Sequence, residues 1–289
     1  MPTIKEMREM PVRVSNTFCQ KTRYLPEEYK ENNSVGVYDI ALYHKARHIL
    51  TAKQDDIITY LLSMVKPEDK PDTIYRFSII EFCKVVGIDY TNGWQYQAIR
   101  RELQSLDSKV VWYRKENGKD ARARWFNVLE IDRGGGVIEI SFHYTMRPFI
   151  FGLEDNFTQF TASYKYTLEG KYSRSLYSFL KSSEGLRSRT ISIEDFLEFI
   201  CPCPYTEYAN IRQRVLEPAI AEINAVTDIK VSVMPHKYKG SRKYNYLVFS
   251  IEPITNMLDE WDRELMRESI FKEREARNRT QNPPEDTPF

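Results

Sequence analysis

The chain repeats itself once. The segment FSIIEFCKVVGI (Phe77 to Ile88), followed by YQAIRREL (Tyr96 to Leu103), returns ~110 residues later as ISIEDFLEFI (Ile191 to Ile200), followed by YANIRQRV (Tyr208 to Val215). That period lies well above the lengths of solenoid repeats, so the pattern marks two domains of one kind, and 289 residues suffice for two cores. Ser78 with Glu81, and Ser192 with Asp195, each put a hydroxyl three residues before an acid, which satisfies free amides at a helix start. After a turn, each copy opens a longer helix. Its buried stripe is Tyr96, Ile99, Leu103 and Leu106 in the first copy and Tyr208, Ile211, Val215 and Ala219 in the second, with an Ile-Arg dipeptide recurring at Ile99-Arg100 and Ile211-Arg212.

Two β-rich segments follow each longer helix. In the first copy VVWYRK and ARARWFNVLEI flank Asn117-Gly118; in the second IKVSVM and YNYLVFSI flank Lys239-Gly240. Helix, turn, helix and hairpin make a winged helix, so the expected fold class is α+β, with tandem winged-helix (helix-turn-helix with β-hairpin wing) domains. Gly134 to Gly136 precede no helix and read as a turn between strands. Upstream, Ala41, Leu42, Ala46, Ile49 and Leu50 recur at helical spacing, and a Thr51–Gln54 capping box opens a second run with Ile57, Ile58, Leu61, Leu62 and Val65. SRSLYSFLKSS (Ser173 to Ser183) supplies the first helix of the second domain. The expected organisation is a flexible N-terminal arm over 1–37, a first winged helix over 38–152, a second over 161–255, and a charged C-terminal tail over 256–289. The tail is expected to be helical in WDRELMRESIFKEREARNR and disordered at its end.

The net charge of +1 conceals a local imbalance: acids gather on the predicted helices and from Asp259 onward, whereas PHKYKGSRKY (Pro235 to Tyr244) carries Lys237, Lys239, Arg242 and Lys243 and no acid. A helix-turn-helix lays its second helix in the major groove of double-stranded DNA. With the stripe of the second copy turned inward, Thr206, Asn210, Gln213, Arg214 and Glu217 point outward, and Arg212 flanks the stripe, suited to a phosphate or an internal ion pair. Arg100 and Arg101 of the first copy are assigned phosphate contacts. An ordinary solvated helix face is the competing reading; the amides, the arginines and the basic wing favour DNA. Pro218 cannot donate to the Arg214 carbonyl, which predicts a kink, yet Ile220, Ile223 and Val226 continue the period.

The stretch YANIRQRVLEPAIAEINAVTDIKVSVMPHKYKGSRKYNYLVFSI resembles the second winged helix of the replication initiator (Rep) proteins of iteron plasmids, with an arginine-bearing helix, VL-x-PAI-x-EIN, and a strand with a basic wing. The resemblance extends to YSRSLYSFLK (Tyr172 to Lys181) and, more loosely, to Ala41 to Phe142. It implies a plasmid protein that binds direct repeats at an origin, helps open the duplex, and recruits a host initiator and helicase. It also implies a homodimer in equilibrium with monomer, formed through the first domain and binding an inverted repeat to repress its own gene. The aromatic strands around Val110, Val111, Trp112, Trp125, Phe126 and Val128 support that assignment. The alternative built from the same modules is a winged-helix transcription regulator without a replication role; a pure interaction scaffold gives no reason for the basic wing.

Catalytic readings lack their parts, so the chain is read as no enzyme, with no cofactor. Gly170-Lys171 runs into Tyr172 and has no glycine five residues earlier, so there is no phosphate loop. His44 and His48 lack the Glu of a zinc-protease motif, and Cys201 and Cys203 fill half a coordination sphere, so no metal is expected. With Cys19 and Cys83 they are too unevenly spaced for a disulfide framework. No apolar stretch approaches the ~20 residues of a membrane span, and the start MPTIKEMREMPVRV reads as an unprocessed cytoplasmic start; that the cytoplasm is bacterial is what the resemblance implies.

Overall fold

Thr3 caps a short helix, α1 (Ile4–Arg8), through a reciprocal box with Glu6, and the chain then runs extended as β1 (Pro11–Ser15). The computed structural model describes residues 2–15, 50–88, 90, 93–109, 111–114, 120–132, 136–146, 150–151, 153 and 157–281. The predicted helix before Leu50, the Asn117-Gly118 turn, Gly134, Gly135 and the last eight residues lie outside them. Helix α2 (Ala52–Met64) starts on the Thr51–Gln54 box that the spacing predicts. Strand β2 (Tyr75–Ser78) leads into α3 (Ile79–Val86), where Ser78 Oγ accepts the Glu81 N–H at 3.0 Å. Gly87, at φ +80°, ends α3 in the left-handed conformation glycine tolerates best. Then come α4 (Gly93–Ser108), β3 (Val111–Arg114), β4 (Asp120–Ala123), β5 (Phe126–Ile131) and β6 (Val137–Phe142).

The second half begins with β7 (Phe157–Thr161), α5 (Ala162–Thr167) and α6 (Lys171–Lys181). Strand β8 (Ser188–Ser192) leads into α7 (Ile193–Asp195), with Ser192 Oγ accepting the Asp195 N–H at 2.9 Å, and a widened turn over Phe196–Ile200 completes that helix. The longer helix of this copy is α8 (Tyr208–Ile211), a second widened turn over Arg212–Leu216, and α9 (Glu217–Val226). Strands β9 (Ile229–His236) and β10 (Tyr246–Pro253) form the hairpin, and α10 (Met257–Gln281) follows.

The duplication is exact at the level of topology: the sheets run β2-β6-β5 and β8-β10-β9, both antiparallel. This corrects the reading of the first wing. Its counterpart of the β9–β10 hairpin is β5–β6, joined across residues 132–136, whereas β3 and β4 form a separate two-stranded hairpin. The run ARARWFNVLEI is not one strand. It breaks at Trp125, which is buried in the core beside Phe126, and resumes paired to β6. Gly136 sits at φ +64°, with the Tyr96 ring 3.0 Å from where a Cβ would stand, so the turn packs tightly on α4.

Both ends of the chain depart from expectation. Residues 11–15 are a strand paired with β7, and Val12 and Val14 are buried, so the described start of the 1–37 segment is structured. PVRVS alternates correctly but is too short to announce itself without its partner. Helix α10 is likewise no loose tail. Arg267 is buried and donates to the Val226 carbonyl at 3.0 Å, Phe271 is buried under the Arg8 guanidinium at 3.6 Å, and Arg274 donates to the Tyr166 carbonyl at 2.7 Å.

The two copies share a continuous apolar core and a buried ionic cluster. Lys165 Nζ lies 2.8 Å from Asp55, while Arg174 pairs with Asp56 and donates from Nε to the Leu168 carbonyl at 2.6 Å. Burial opposes the charge on Arg174, but Asp56 and Asp55 outweigh it and hold the guanidinium protonated beyond its usual range.

Candidate nucleic-acid interface

Residues 208–226 form one unbroken helix despite Pro218. The widened turn resolves the conflict: the Glu217 N–H reaches the Arg212 carbonyl, one residue further back than in an α-helix. The ladder thus shifts register just before the residue that has no N–H to give. Ile211, Val215, Ala219, Ile223 and Val226 are buried, as the stripe predicts, and Leu216 joins them. Thr206, Asn210, Arg212, Gln213, Arg214 and Glu217 are all exposed on the opposite side or just before it. Arg212 Nε lies 3.3 Å from Glu217, the internal pair its flanking position suggests. The Arg214 guanidinium stands 5.5 Å from the Tyr205 ring centroid, a stacking partner that sequence spacing did not single out.

The wing stands beside this face. Tyr244, next to its tip, packs on Tyr208 of the helix at a ring separation of 4.8 Å, and Lys237 Nζ lies 4.8 Å from the Tyr244 ring. This aromatic bridge ties wing to helix; its signal was present in the alternation of tyrosines with cations from Lys237 to Tyr246. The tip closes on itself. Asn245 Oδ1 accepts the Tyr238 N–H at 3.0 Å, Ser241 Oγ donates to the Lys243 carbonyl at 2.8 Å, and Gly240 takes φ +85°. Lys237, Lys239, Arg242 and Lys243 are all exposed, and among the described residues none has an acidic partner. Four cations on one hairpin, uncompensated among the described residues, stand beside an amide- and arginine-bearing helix face, an arrangement chemically suited to a polyanion.

The first copy is less open. Arg100 is half-buried, and the exposed Arg101 folds along its own helix, its Nε 3.3 Å from the Gln97 carbonyl. Cys201 is buried, with Sγ 3.8 Å from the Tyr172 carbonyl, and Cys203 Sγ lies 4.0 Å from the Tyr205 carbonyl. Among the described residues no three His, Cys, Asp or Glu side chains stand together as metal ligands, and no helix is long and apolar enough to cross a membrane.

Two copies of strand, helix, turn, helix and hairpin, one with an open reading face and a basic wing, define a tandem winged-helix protein. Residues 37–181 match the family described as initiator replication protein, WH1, and residues 192–251 match the initiator Rep protein, WH2. The chain belongs to the initiator replication protein family. Among solved structures it is similar to the Pi initiator protein crystallised in complex with iteron DNA: TM-score 0.65 and 16% identity, over 86% of this chain and 99% of that one, which shows the shared fold. Two others align with lower scores. The WH1 domain of a replication protein isolated from a multiple sclerosis patient gives TM-score 0.30 at 15% identity, over 37% of this chain and 85% of that one. Domains 2 and 3 of RctB give TM-score 0.37 at 12% identity, over 75% and 82%.

Proposed function

We propose that this replication initiator binds direct repeats of double-stranded DNA in a plasmid origin through its second winged helix, whose limits we place at 161–255. The observation that carries this reading is the set of four exposed wing cations, uncompensated among the described residues, fixed by the Tyr208–Tyr244 contact beside the outward face of residues 208–226. Thr206, Asn210, Gln213 and Arg214 reach base edges; Lys237, Lys239, Arg242 and Lys243 hold phosphates, while Arg212, the other phosphate candidate, is taken up by Glu217. In the first copy Arg101, and less freely Arg100, add phosphate contacts. Binding energy and host factors, an initiator and a helicase, drive strand opening, and the protein needs no nucleotide, catalytic metal or catalysis of its own.

A homodimer through the first domain would bind an inverted repeat and repress the gene, because a two-fold dimer matches a palindrome. Trp125 and Phe126 lie in the core, Val110 lies outside the described residues, as do the side chains of Val111 and Trp112, and among the described residues β2 and β5 are the outer strands of their sheet and offer edges for pairing. The deciding experiment footprints the protein on its plasmid origin. Protection spaced at the period of the direct repeats is expected, and protection unrelated to the repeats would refute the reading.

A further inference from the structure

Helix α10 packs one face on the described residues and leaves apolar side chains exposed on the other. Its inner face is anchored: Arg263 donates to the Asn224 carbonyl at 2.9 Å, Arg267 to that of Val226 at 3.0 Å, and Phe271 is buried. On the outer face of the first three turns, Met257 is 87% exposed, Leu258 68%, Trp261 61%, and Leu265 and Met266 49% each. Met257, Trp261 and Leu265 are spaced four apart, so they form a stripe along one side of the helix, with Leu258 and Met266 beside it. A single exposed apolar residue calls for no explanation; five on one rigidly held face do. A tryptophan at the centre of such a stripe is the residue type that most often anchors an interface.

Charge identifies what covers it. The arginines of this stretch, Arg263 and Arg267, point inward and are engaged with the protein's own carbonyls. The acids face out. Lys5 takes up Glu264 and Glu268, at 2.9 and 3.4 Å, while Asp259 and Asp262 are exposed and have no cationic partner among the described residues. A second copy of this stripe would bring carboxylates against carboxylates, which disfavours self-pairing. We infer that the outer face of α10 is a docking surface for another protein that presents an amphipathic helix with an apolar stripe and a lysine- or arginine-rich flank. This inference does not depend on how the wing meets DNA.

The test uses the full chain and two fluorescent helical peptides with the same leucine stripe, one flanked by lysines and one by glutamates, followed by anisotropy. The lysine peptide should bind at least tenfold more tightly than the glutamate peptide. Leu258→Ser/Trp261→Ser/Leu265→Ser should lose tenfold or more, Asp259→Asn/Asp262→Asn should erode the preference for lysine, and duplex DNA binding should stay unchanged in both. If the triple variant fails to fold, Leu265→Ser alone is held to a loss of threefold or more. Equal binding of the two peptides, no binding of either, or binding that survives the stripe substitutions would overturn the inference. So would sedimentation showing that the stripe variant turns a dimer into a monomer, since the occupant would then be a second copy.

Discussion

Salt dependence of binding offers the most direct quantitative test of the wing. Four cations, Lys237, Lys239, Arg242 and Lys243, are exposed without acidic partners among the described residues. Arg212 is left out of the count because Glu217 lies 3.3 Å away and already compensates it, and Arg214 because it stands over Tyr205 on the reading face. Each phosphate neutralised on a duplex releases counterions and contributes about 0.9 to the slope of log affinity against log salt, so four contacts give a slope of about −3.6. Raising salt fourfold, from about 50 to 200 mM, should then weaken binding ~150-fold from the wing alone. Lys239→Ala removes one contact, which should cut the slope to about −2.7 and the same loss to ~40-fold. Anisotropy of a labelled duplex across that range measures both slopes. A nearly flat slope for the unmodified protein, or an unchanged slope for the variant, would refute the argument that these cations meet phosphates.

Gln213→Ala and Arg214→Ala should each relax sequence preference by about 1–3 kcal/mol at one base pair, read by competition among single-position variants of the site, while Lys243→Ala weakens all duplexes alike. Arg174→Met should destabilise the fold by about 3–5 kcal/mol, because Asp56 is left buried without its partner; chemical denaturation measures this, and Arg174→Met/Asp56→Leu should recover part of it. The N-terminal clip should open in acid. Glu6 is held below its ordinary value of 4.5 by hydrogen bonds with Thr3, and Glu264 below the same value by the hydrogen bond and charge of Lys5. Carboxylates with lowered values stabilise the folded arrangement above their unfolded range and lose that contribution as pH falls through the folded one. Hydrogen exchange of residues 4–15 should therefore accelerate below pH 4.5 before the rest of the chain, and uniform acceleration would contradict it.

The second copy was legible because its signals are local. The Ser192 cap, the inward stripe from Ile211 to Val226 and the Lys239-Gly240 turn each depend on residues within a few positions of one another, and each stands where the pattern puts it. Thr206, Asn210, Gln213 and Arg214 followed from the same stripe by elimination of the buried side. What escaped depends on partners distant in sequence. Val12 and Val14 are a strand only because β7 lies ~145 residues away, and α10 is fixed by carbonyls of Val226 and Tyr166 that no pattern within it announces. The first wing was misplaced for the opposite reason. Asn117-Gly118 is a strong local hairpin signal between β3 and β4, whereas the β5–β6 pairing has a turn that reads only as a run of glycines.

These distant contacts bear on the proposed function, because a protein proposed to meet DNA with two winged helices gains from holding them at a fixed separation. A linker alone would let each copy find the duplex independently, and the ordering cost would fall on binding. Here several contacts oppose that freedom. β1 and α1 belong to the N-terminus, yet β1 pairs with β7, and Arg8 donates to the Val85 carbonyl while covering Phe271 of α10. Helix α10 closes the circuit by hydrogen bonding to residues of both halves, Val86 and Val226. At the centre, Arg174 of α6 and Lys165 of α5 meet Asp56 and Asp55 of α2 out of water, where breaking either pair leaves an uncompensated charge. The chain ends and the ionic cluster therefore act in the same direction: they hold the two winged helices in one fixed arrangement.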